Sequence, residues 1–558
     1  MRGPVVPDAP PFVKEVLGAM ISMKGDDLPV SAMPVDGTWP TGTTQYEKRN
    51  IAVHIPVWEP DICIQCGLCS FVCPHATIRI KAYDPSHLEG APPAFKSTNA
   101  TGKELKGLKF TVQVAPEDCT GCGSCVFVCP AHKKDADGNK IPDFKAINMY
   151  LNEPLCEQEA ASFAHFLKIP PLDISRYNLK TVKGSQFVPS LFEYHSACAG
   201  CGETPYIKLL TQLFGDRLLI ANATGCSSIY GGNLPTIPYT KRLDGRGPAW
   251  SNSLFEDNAE FGFGMMLTVE NFRSEAIRLL RKLSAKPETR AKDLITSIIE
   301  ADQTTQEGIE QQRSRVEQLK ELLSGDASPD ARQLLSLADY LVKKSVWAVG
   351  GDGWAYDIGY GGVDHVLASG QDINILILDS EVYSNTGGQV SKSTPLGASA
   401  QFAVAGKRLP KKSIGLIMTT YGYIYVANVA FGANPAQTLK ALVEAEAFKG
   451  PSLVVAYSTC IAQGIDMSKG IDEMKKAVAC GHFPLYRYNP ALIREGKNPL
   501  VLDSQEPSIS FESYAMKENR FRTLRMSHPA LAEELAKEAQ ENVNRKWSYL
   551  KHLSNWKP

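Results

Sequence analysis

Residues 63–74 read Cys-Ile-Gln-Cys-Gly-Leu-Cys-Ser-Phe-Val-Cys-Pro, and residues 119–130 read Cys-Thr-Gly-Cys-Gly-Ser-Cys-Val-Phe-Val-Cys-Pro. Both stretches space four cysteines as C-x2-C-x2-C-x3-C and place a proline directly after the fourth. Three thiolates separated by two residues can surround one compact metal group, whereas the fourth cysteine cannot reach back to it comfortably. This repeat determines the fold that we expect for the residues around it.

The spacing is that of bacterial ferredoxins, in which the fourth cysteine of each run ligates the other run's cluster. We therefore predict two 4Fe–4S clusters, one held by Cys63, Cys66, Cys69 and Cys129 and the other by Cys119, Cys122, Cys125 and Cys73. Two structural zinc sites are the alternative, but zinc ligands usually come in separated pairs rather than four in a run. Residues 51–150 are accordingly expected to form a small α+β ferredoxin-like domain with two clusters.

A long insertion, Tyr83 to Leu108, separates the two halves of this domain and reads as a surface loop. Lys103, Lys106 and Lys109 lie in or next to it and could dock an acidic electron carrier. A run of this kind is more often simply solvated, so both interpretations stay open.

The composition excludes several classes of function. The 558 residues include 59 basic and 60 acidic groups, so no net field favours nucleic acid or an anionic membrane. No apolar run approaches the roughly 18 residues of a membrane helix, and residues 1–11 lack the apolar core of a secretory signal. We therefore expect a soluble, cytoplasmic protein whose fourteen cysteines serve metal or redox chemistry rather than disulfides.

The chain outside the cysteine-rich segment divides by its pattern of apolar and turn residues. Residues 1–50 are rich in proline and predict an extended arm, and residues 151–190 predict a linker. Residues 191–490 alternate short apolar runs with glycine-rich turns and helical stretches, which indicates an α/β domain on a parallel sheet. A helical insertion is expected at about 268–344 and a C-terminal extension at 491–558.

Four strands are predicted in the α/β domain: Arg217 to Ala223, Ser345 to Gly350, Ile373 to Asp379 and Ser452 to Thr459. Ligand sites of parallel sheets gather beyond the carboxyl ends of the strands. Cys226 and Cys460 follow two of these ends, and Cys198 and Cys201 form a C-x2-C pair ahead of a helix. Four thiolates in a low-potential electron carrier suggest a third 4Fe–4S cluster, with zinc as the competing interpretation.

A glycine-rich turn follows the strand that begins at Ser345. Residues 350–353 read Gly-Gly-Asp-Gly, and Ser380 follows the next strand, 28 positions beyond Asp352. Oxygen ligands at two neighbouring strand ends can hold a diphosphate through Mg²⁺, which demands octahedral oxygen coordination. The glycines let backbone amides and a helix N-terminus approach the phosphates. We therefore predict a Mg²⁺–diphosphate site at these strand ends.

Taken together, these motifs resemble the C-terminal half of pyruvate:ferredoxin (flavodoxin) oxidoreductases. The resemblance implies thiamine diphosphate as the cofactor, with Mg²⁺ held by Asp352, Ser380 and the Val382 carbonyl. It further implies that the thiamine site is lined by Glu203, Cys226, Gly351, Asp352, Gly353, Trp354 and the segment from Ser380 to Asn385, with Asn385 catalytic and near the substrate. Ser380 departs from the family, where a threonine is expected, but either hydroxyl can ligate Mg²⁺.

The same resemblance implies a function. Members oxidatively decarboxylate pyruvate with coenzyme A to acetyl-CoA and CO2 and pass the electrons through three 4Fe–4S clusters to ferredoxin or flavodoxin. The N-terminal half of the single-chain members, with the second thiamine-binding domain and the coenzyme A region, has no counterpart in this sequence. We therefore expect either one subunit of a split enzyme, whose partner chain carries that half, or a fragment, in both cases inactive without the missing half. An oligomer is expected as well. The alternatives are another 2-oxoacid substrate, or an electron-transfer subunit with a vestigial thiamine domain.

Overall fold

The computed structural model describes residues 3–232, 235–285 and 292–557. The N-terminal segment contains helix α1 (Gly18–Ile21) and several short turns, and its later residues lie against residues 193 and 235–239. Trp39 Nε1 donates to the Pro235 carbonyl at 3.0 Å, and Thr44 Oγ1 donates to the Glu193 carbonyl at 2.9 Å. The arm is therefore attached by polar contacts to the α/β domain.

The ferredoxin-like domain follows the arm. Its elements are β1 (His54–Trp58), α2 (Leu68–Val72), β2 (Ile78–Tyr83), β3 (Thr98–Asn99), β4 (Lys109–Val114), α3 (Ser124–Val128), β5 (His132–Lys134), β6 (Lys140–Lys145) and β7 (Ile147–Leu151). Strand β1 pairs with β7, β4 lies between β2 and β3, and β5 pairs with β6, all antiparallel. Each cysteine run passes into one of the two short helices, so α2 and α3 follow the two predicted cluster loops.

Helices α4 (Cys156–Lys168) and α5 (Val182–Ser185) lead into the α/β domain. Its elements up to the helical insertion are α6 (Thr204–Phe214), β8 (Leu218–Ala223), α7 (Cys226–Gly232) and β9 (Ala249–Ser253). The insertion contains α8 (Asn258–Ser284), α9 (Lys292–Ile299), α10 (Gln306–Leu323) and α11 (Pro329–Leu337). Leu279, Leu283, Val316 and Leu319 share one buried cluster there, as their helical spacing predicts.

The remaining elements complete the sheet and its cover. They are β10 (Ser345–Gly351), α12 (Tyr360–Ala368), β11 (Asn374–Asp379), α13 (Ile414–Thr419), β12 (Tyr425–Val429), α14 (Pro435–Ala447), β13 (Ser452–Tyr457), α15 (Gly470–Ala479), β14 (Tyr486–Tyr488), β15 (Leu500–Leu502), α16 (Phe511–Ala515), α17 (Asn519–Ser527) and α18 (Pro529–Ser554). In the described residues the strands form one eight-stranded sheet in the order β15-β14-β12-β13-β11-β10-β8-β9.

The central strands of this sheet are parallel. Strands β12, β13, β11, β10, β8 and β9 run in one direction, and β14 and β15 add an antiparallel edge. Every residue of β11, β12 and β13 is buried, as expected for a parallel sheet covered by helices on both faces. The four predicted strands and the predicted α/β fold class are confirmed. None of the helices among the described residues is long and apolar enough to cross a membrane.

Candidate functional site

The predicted site lies where β8, β10, β11 and β13 end. These strands are neighbours in the sheet, with β10 paired to β8 and β11, and β11 paired to β13. Their carboxyl ends therefore open onto the same edge, and the residues that follow them meet there. Asp352 follows β10, Ser380 follows β11, and Cys226 and Cys460 lie just beyond β8 and β13.

Asp352, Ser380 and the Val382 carbonyl converge. Ser380 Oγ lies 3.1 Å from Asp352 Oδ1 and 3.1 Å from the Val382 carbonyl oxygen. The second carboxylate oxygen of Asp352 accepts a hydrogen bond of 2.6 Å from Ser391 Oγ. Asp352 and Ser380 are both buried. A compact group of buried oxygen atoms is the ligand chemistry that Mg²⁺ prefers, so these residues fit the predicted ion.

Burial raises the pKa of Asp352, and the negative charge of Asp379 raises it further. Asp379 is itself held by three donors: Ser393 Oγ at 2.5 Å, Tyr356 Oη at 2.8 Å and Lys411 Nζ at 2.6 Å. Asp352, by contrast, accepts its side-chain hydrogen bonds from two hydroxyls, those of Ser380 and Ser391. A bound divalent cation would supply the missing positive charge.

Ser384 connects this oxygen group to the predicted third set of thiols. Ser384 Oγ lies 3.5 Å from Ser380 Oγ and 3.3 Å from Cys226 Sγ. Its hydroxyl also interacts with the Cys460 thiol. The diphosphate end of the site and the cysteines are therefore adjacent, within a chain of three side-chain contacts from Asp352 to Cys226.

The four thiols of the third set face one another across chain segments far apart in sequence. Cys201 and Cys226 each interact electrostatically with Cys460, and Cys460 interacts with Cys198. The Gly202 amide donates to the Thr459 carbonyl at 3.0 Å, which ties the C-x2-C turn to the end of β13. Burial raises the pKa of Cys460 to about 12 and raises those of Cys201 and Cys226 as well. Cys198 is exposed.

Glu203 lies beside these thiols. Its carboxylate accepts a hydrogen bond of 3.1 Å from Tyr230 Oη, and burial raises its pKa to about 7.

Three further residues of the predicted thiamine site are Trp354, Asn385 and Gly353. The Trp354 side chain is fully buried against Gly350 and Gly359, and Asn385 is exposed on the loop that follows Ser384. A Cβ atom on Gly353 would lie 2.6 Å from the Tyr383 ring, so this turn has room only for glycine.

The eight cysteines of the ferredoxin-like domain gather into two groups. Cys63, Cys66, Cys69 and Cys129 line one small cavity, and Cys73, Cys119, Cys122 and Cys125 line another. Each group combines three cysteines of one run with the fourth cysteine of the other, as the spacing predicts. Burial is the main cause that raises the pKa of Cys63, Cys66, Cys69, Cys119, Cys122 and Cys125.

The three thiol groups follow one another in space. The Gly200 backbone, within the C-x2-C turn of the third set, lies within hydrogen-bond range of the Cys122 thiol. Cys125 in turn interacts electrostatically with Cys69 of the other cavity. The group around Cys73 and Cys119 therefore lies between the strand-end site and the group around Cys63 and Cys66.

Sequence reasoning missed several residues that support the site. Ser391 and Asp379 shape the surroundings of Asp352, and Lys411 bridges Asp379 to Glu381 at 2.6 and 2.9 Å. Glu381 is fully buried with φ of +64° and also pairs with Arg520 at 2.6 Å. The hydroxyl-rich stretch Ser-Lys-Ser-Thr at 391–394 is the one signal in the sequence that could have indicated further polar residues at this site.

Comparison with protein families agrees with this division of the chain. Residues 62–133 match a 4Fe–4S dicluster domain, and residues 335–456 match the C-terminal thiamine pyrophosphate-binding domain of thiamine pyrophosphate enzymes. Residues 1–52 match a domain of unknown function. The fold and the two matched domains therefore define an iron–sulfur protein with a thiamine pyrophosphate-binding domain.

Similar proteins make the assignment specific. The chain is 54% identical to the pyruvate-flavodoxin oxidoreductase of Nostoc sp. over 99% of its own length and 46% of that protein. It is 51% identical to the pyruvate-flavodoxin oxidoreductase of Rhodospirillum rubrum and 49% identical to the pyruvate:ferredoxin oxidoreductase of Moorella thermoacetica, in each case over 98% of the chain and 45% and 46% of those proteins. Over almost its whole length the chain is therefore similar to pyruvate:ferredoxin (flavodoxin) oxidoreductases, and it spans about half the length of these relatives.

A solved structure of 2-oxoglutarate:ferredoxin oxidoreductase from Magnetococcus marinus also matches. It is 16% identical, with 53% of this chain and 70% of that chain covered, at a TM-score of 0.30.

Proposed function

We propose that this chain supplies the thiamine diphosphate, magnesium and iron–sulfur part of an enzyme that oxidatively decarboxylates pyruvate with coenzyme A to acetyl-CoA and CO2. In this proposal the electrons leave through three 4Fe–4S clusters to ferredoxin or flavodoxin. The observation that carries it is the contact path from Asp352 through Ser380 and Ser384 to Cys226. A cofactor and an electron acceptor that are bound by adjacent side chains can exchange electrons directly.

Asp352, Ser380 and the Val382 carbonyl would hold Mg²⁺, and the Gly351–Gly353 turn would lie against the diphosphate. Bound thiamine diphosphate supplies an electron sink for decarboxylation. The residues of this chain would bury the diphosphate and surround it with charges in fixed positions. Asp352 offers negative charge to the ion, while Lys411 neutralises the neighbouring Asp379 and keeps a second uncompensated carboxylate away from the diphosphate.

Glu203 and Asn385 have separate proposed roles. Glu203 is buried next to the third thiol set with a pKa of about 7, so near neutral pH its carboxyl can hold or release a proton. Asn385 is exposed on the loop beyond Ser384, where it could meet a substrate that enters from outside this chain. We propose that Asn385 contacts pyruvate and that Glu203 lines the thiamine site.

The geometry of the thiol groups favours iron–sulfur clusters over single zinc ions. A zinc ion would draw four sulfurs to within about 2.3 Å of one point. Structural zinc ligands usually come in separated pairs, whereas these ferredoxin-type cysteines come four in a run. Each group takes three cysteines from one run and the fourth from the other, which is the ligand pattern of two-cluster ferredoxins.

The spatial order of the thiol groups supports a route for electrons. The strand-end group of Cys198, Cys201, Cys226 and Cys460 would receive them, the group around Cys73 and Cys119 would relay them, and the group around Cys63 and Cys66 would deliver them. The Gly200 backbone lies within hydrogen-bond range of Cys122, and Cys69 interacts electrostatically with Cys125, so consecutive groups are neighbours. Ile64, next to the last group, is exposed, so a carrier can approach that group closely.

The remaining parts of the proposal concern what lies outside this chain. The relatives are about twice as long, and the additional length would contain the second thiamine-binding domain and the coenzyme A site. We propose that a partner carrying that part assembles with this chain in an oligomer. A cytoplasmic location is part of the same proposal, since twelve of the fourteen cysteines are proposed cluster ligands and not disulfide partners.

Metal and cofactor analysis of the anaerobically purified chain tests the proposal directly. Three 4Fe–4S clusters predict about twelve iron atoms and about twelve acid-labile sulfides per chain. Thiamine diphosphate should bind only in the presence of Mg²⁺. An iron content near eight would remove the third cluster, and absence of Mg²⁺-dependent thiamine diphosphate binding, also in complex with the partner, would favour the vestigial alternative.

Substrate choice needs the complete enzyme. The chain would be co-expressed with the segment that its relatives carry beyond the matched region, and 2-oxoacid-dependent reduction of methyl viologen would be followed with and without coenzyme A. Pyruvate should be preferred over 2-oxoglutarate and branched 2-oxoacids. A strong preference for a different 2-oxoacid would replace pyruvate in this proposal and leave the cofactor assignments intact.

A further inference from the structure

Lys208 is a buried cation at the contact between the α/β domain and the ferredoxin-like domain. It belongs to α6 and is 2% exposed. Its ammonium group reaches the C-terminal end of α2, where it donates to the carbonyl oxygens of Ser70, Phe71 and Cys73, the latter two at 2.9 and 3.2 Å. The α/β domain therefore places a side chain directly beside a cysteine of the ferredoxin-type repeat.

The number of acceptors shows that this lysine is charged. A lysine ammonium has three N–H donors, whereas a neutral amine has two. Three carbonyl oxygens surround Nζ of Lys208, and each of them is an acceptor only. The protonated form alone satisfies all three, so Lys208 brings a full positive charge into the interior.

This charge has no carboxylate partner. Among the described residues no Asp or Glu forms an ion pair with Lys208, and its favourable electrostatic neighbours are the Cys73 and Cys69 thiols. Arg79, the other cation nearby, is paired with Glu193. A buried charge without a counter-ion is costly to a fold, so natural proteins pair such charges. Cys69 and Cys73 belong to different cavities, one to each ferredoxin-type group.

We propose that Lys208 is the shared counter-ion of the two ferredoxin-type clusters and that its charge raises the reduction potentials of both. The inference rests on the proposed pair of clusters but not on thiamine chemistry. One electron that enters a cluster makes its net charge more negative by one, with no accompanying proton. A fixed positive charge next to a ligand of each cluster stabilises that reduced state. Because Lys208 is supplied by α6, docking of the two domains sets the potentials.

The test compares four variants of the full chain after anaerobic cluster reconstitution. Lys208→Met and Lys208→Gln remove the charge, and Lys208→Arg keeps it. Lys81→Met is the matched control, since Lys81 is also a buried lysine of this region whose ammonium donates to two backbone carbonyls, those of Phe166 and Ile169. Redox titrations followed by electron paramagnetic resonance give the potential of each cluster. If Lys208→Met does not fold, the effect of removing the charge is measured with Lys208→Gln alone.

We expect reduction of both clusters to become at least tenfold less favourable in Lys208→Met and Lys208→Gln, which is 59 mV for a one-electron couple. Lys208→Arg and Lys81→Met should stay near the wild-type potentials. Unchanged potentials in Lys208→Gln, or an equal shift in Lys81→Met, would overturn the inference while the proposed clusters stand. A wild-type chain that holds no pair of 4Fe–4S clusters would overturn both.

Discussion

At the scale of single residues, Ser380 connects the two halves of the candidate site. Its hydroxyl touches the carboxylate of Asp352, the Val382 carbonyl and the Ser384 hydroxyl. The sequence motif identified Asp352 and Ser380, because both follow predicted strands. It could not identify Ser391, which reaches Asp352 from 39 positions away through a loop without regular structure. Contacts of this kind depend on the path of the loop and not on local periodicity.

Replacing Ser380 tests the proposed metal site. Ser380→Ala removes one oxygen ligand, and we expect the Mg²⁺ concentration needed for thiamine diphosphate binding to rise about tenfold, or about 1.4 kcal/mol. Ser380→Thr keeps the hydroxyl and should bind as the wild type does. Quenching of tryptophan fluorescence during Mg²⁺ titration provides the measurement. Equal affinities in the alanine and threonine variants would show that this hydroxyl does not ligate the ion.

Lys81 makes the stability of the chain depend on pH. Burial lowers its pKa from 10.5 to about 7, and the positive charge of Arg79 adds to the effect. Between these two values the unfolded chain binds more protons than the folded chain, so the free energy of unfolding rises with pH from about 7 to about 10.5. This contribution is smallest below pH 7 and largest at alkaline pH.

We therefore expect the wild type to gain about 1–2 kcal/mol of stability relative to Lys81→Met between pH 7 and pH 9. Anaerobic urea unfolding at several pH values measures this difference. The methionine variant lacks two hydrogen bonds to backbone carbonyls, so its absolute stability will differ as well. Only the slope against pH is diagnostic, and parallel slopes for the two proteins would contradict the assignment.

At the scale of elements, the sequence predicts the buried strands better than the edge strands. Strands β8, β10, β11 and β13 are mostly apolar runs followed by turns, and all four are interior strands of the sheet. Strand β9 reads Ala-Trp-Ser-Asn-Ser, and β14 and β15 contain three residues each. Such short or polar edge strands form because a neighbouring strand offers unpaired backbone groups, and that neighbour is not visible in their own sequence.

The buried ion network shows the same limit. Glu381 pairs with Lys411, His482 and Arg520, which come from three separate segments. Arg520 belongs to the segment that the sequence analysis assigned to a C-terminal extension, and β15 of that segment also joins the sheet. Charged residues of these types are common along the chain, so nothing in the linear sequence indicates that these residues pair with one another.

The C-x2-C turn depends on a close approach of two backbones. A Cβ atom on Gly202 would lie 2.4 Å from the Thr459 amide nitrogen and 2.7 Å from its carbonyl oxygen. Gly202→Ala should therefore push Cys201 away from Cys460, and we expect iron to fall from about twelve to about eight atoms per chain. Gly264→Ala, a helical position with open space around its Cα atom, is the control. Full iron content in Gly202→Ala would separate this turn from the proposed third cluster.

At the scale of the whole molecule, the proposed electron route ends at the group around Cys63 and Cys66. The insertion from Tyr83 to Leu108 lies beside this group because Gln65 binds it. Gln65 Nε2 donates to the Asn99 carbonyl at 2.8 Å, and the Thr101 amide donates to Gln65 Oε1 at 2.8 Å. Lys183 Nζ donates to the Thr101 carbonyl at 2.9 Å and interacts electrostatically with Cys63 and Cys66. This insertion is therefore attached next to the thiol group at which the proposed electron route ends.

Lys103, Lys106 and Lys109 line one open surface depression, where the docking interpretation places an acidic carrier. Reversing all three to glutamate should raise the KM for an acidic ferredoxin or flavodoxin about tenfold at low salt and weaken its salt dependence. Pyruvate-dependent reduction of methyl viologen by the assembled enzyme should not change, because that dye needs no docking surface. Reversal of Lys537, Arg545 and Lys551 on α18 alters the net charge equally and serves as the control. A carrier KM that responds to both triples alike would assign the effect to net charge, and one that responds to neither would leave these lysines as solvated surface.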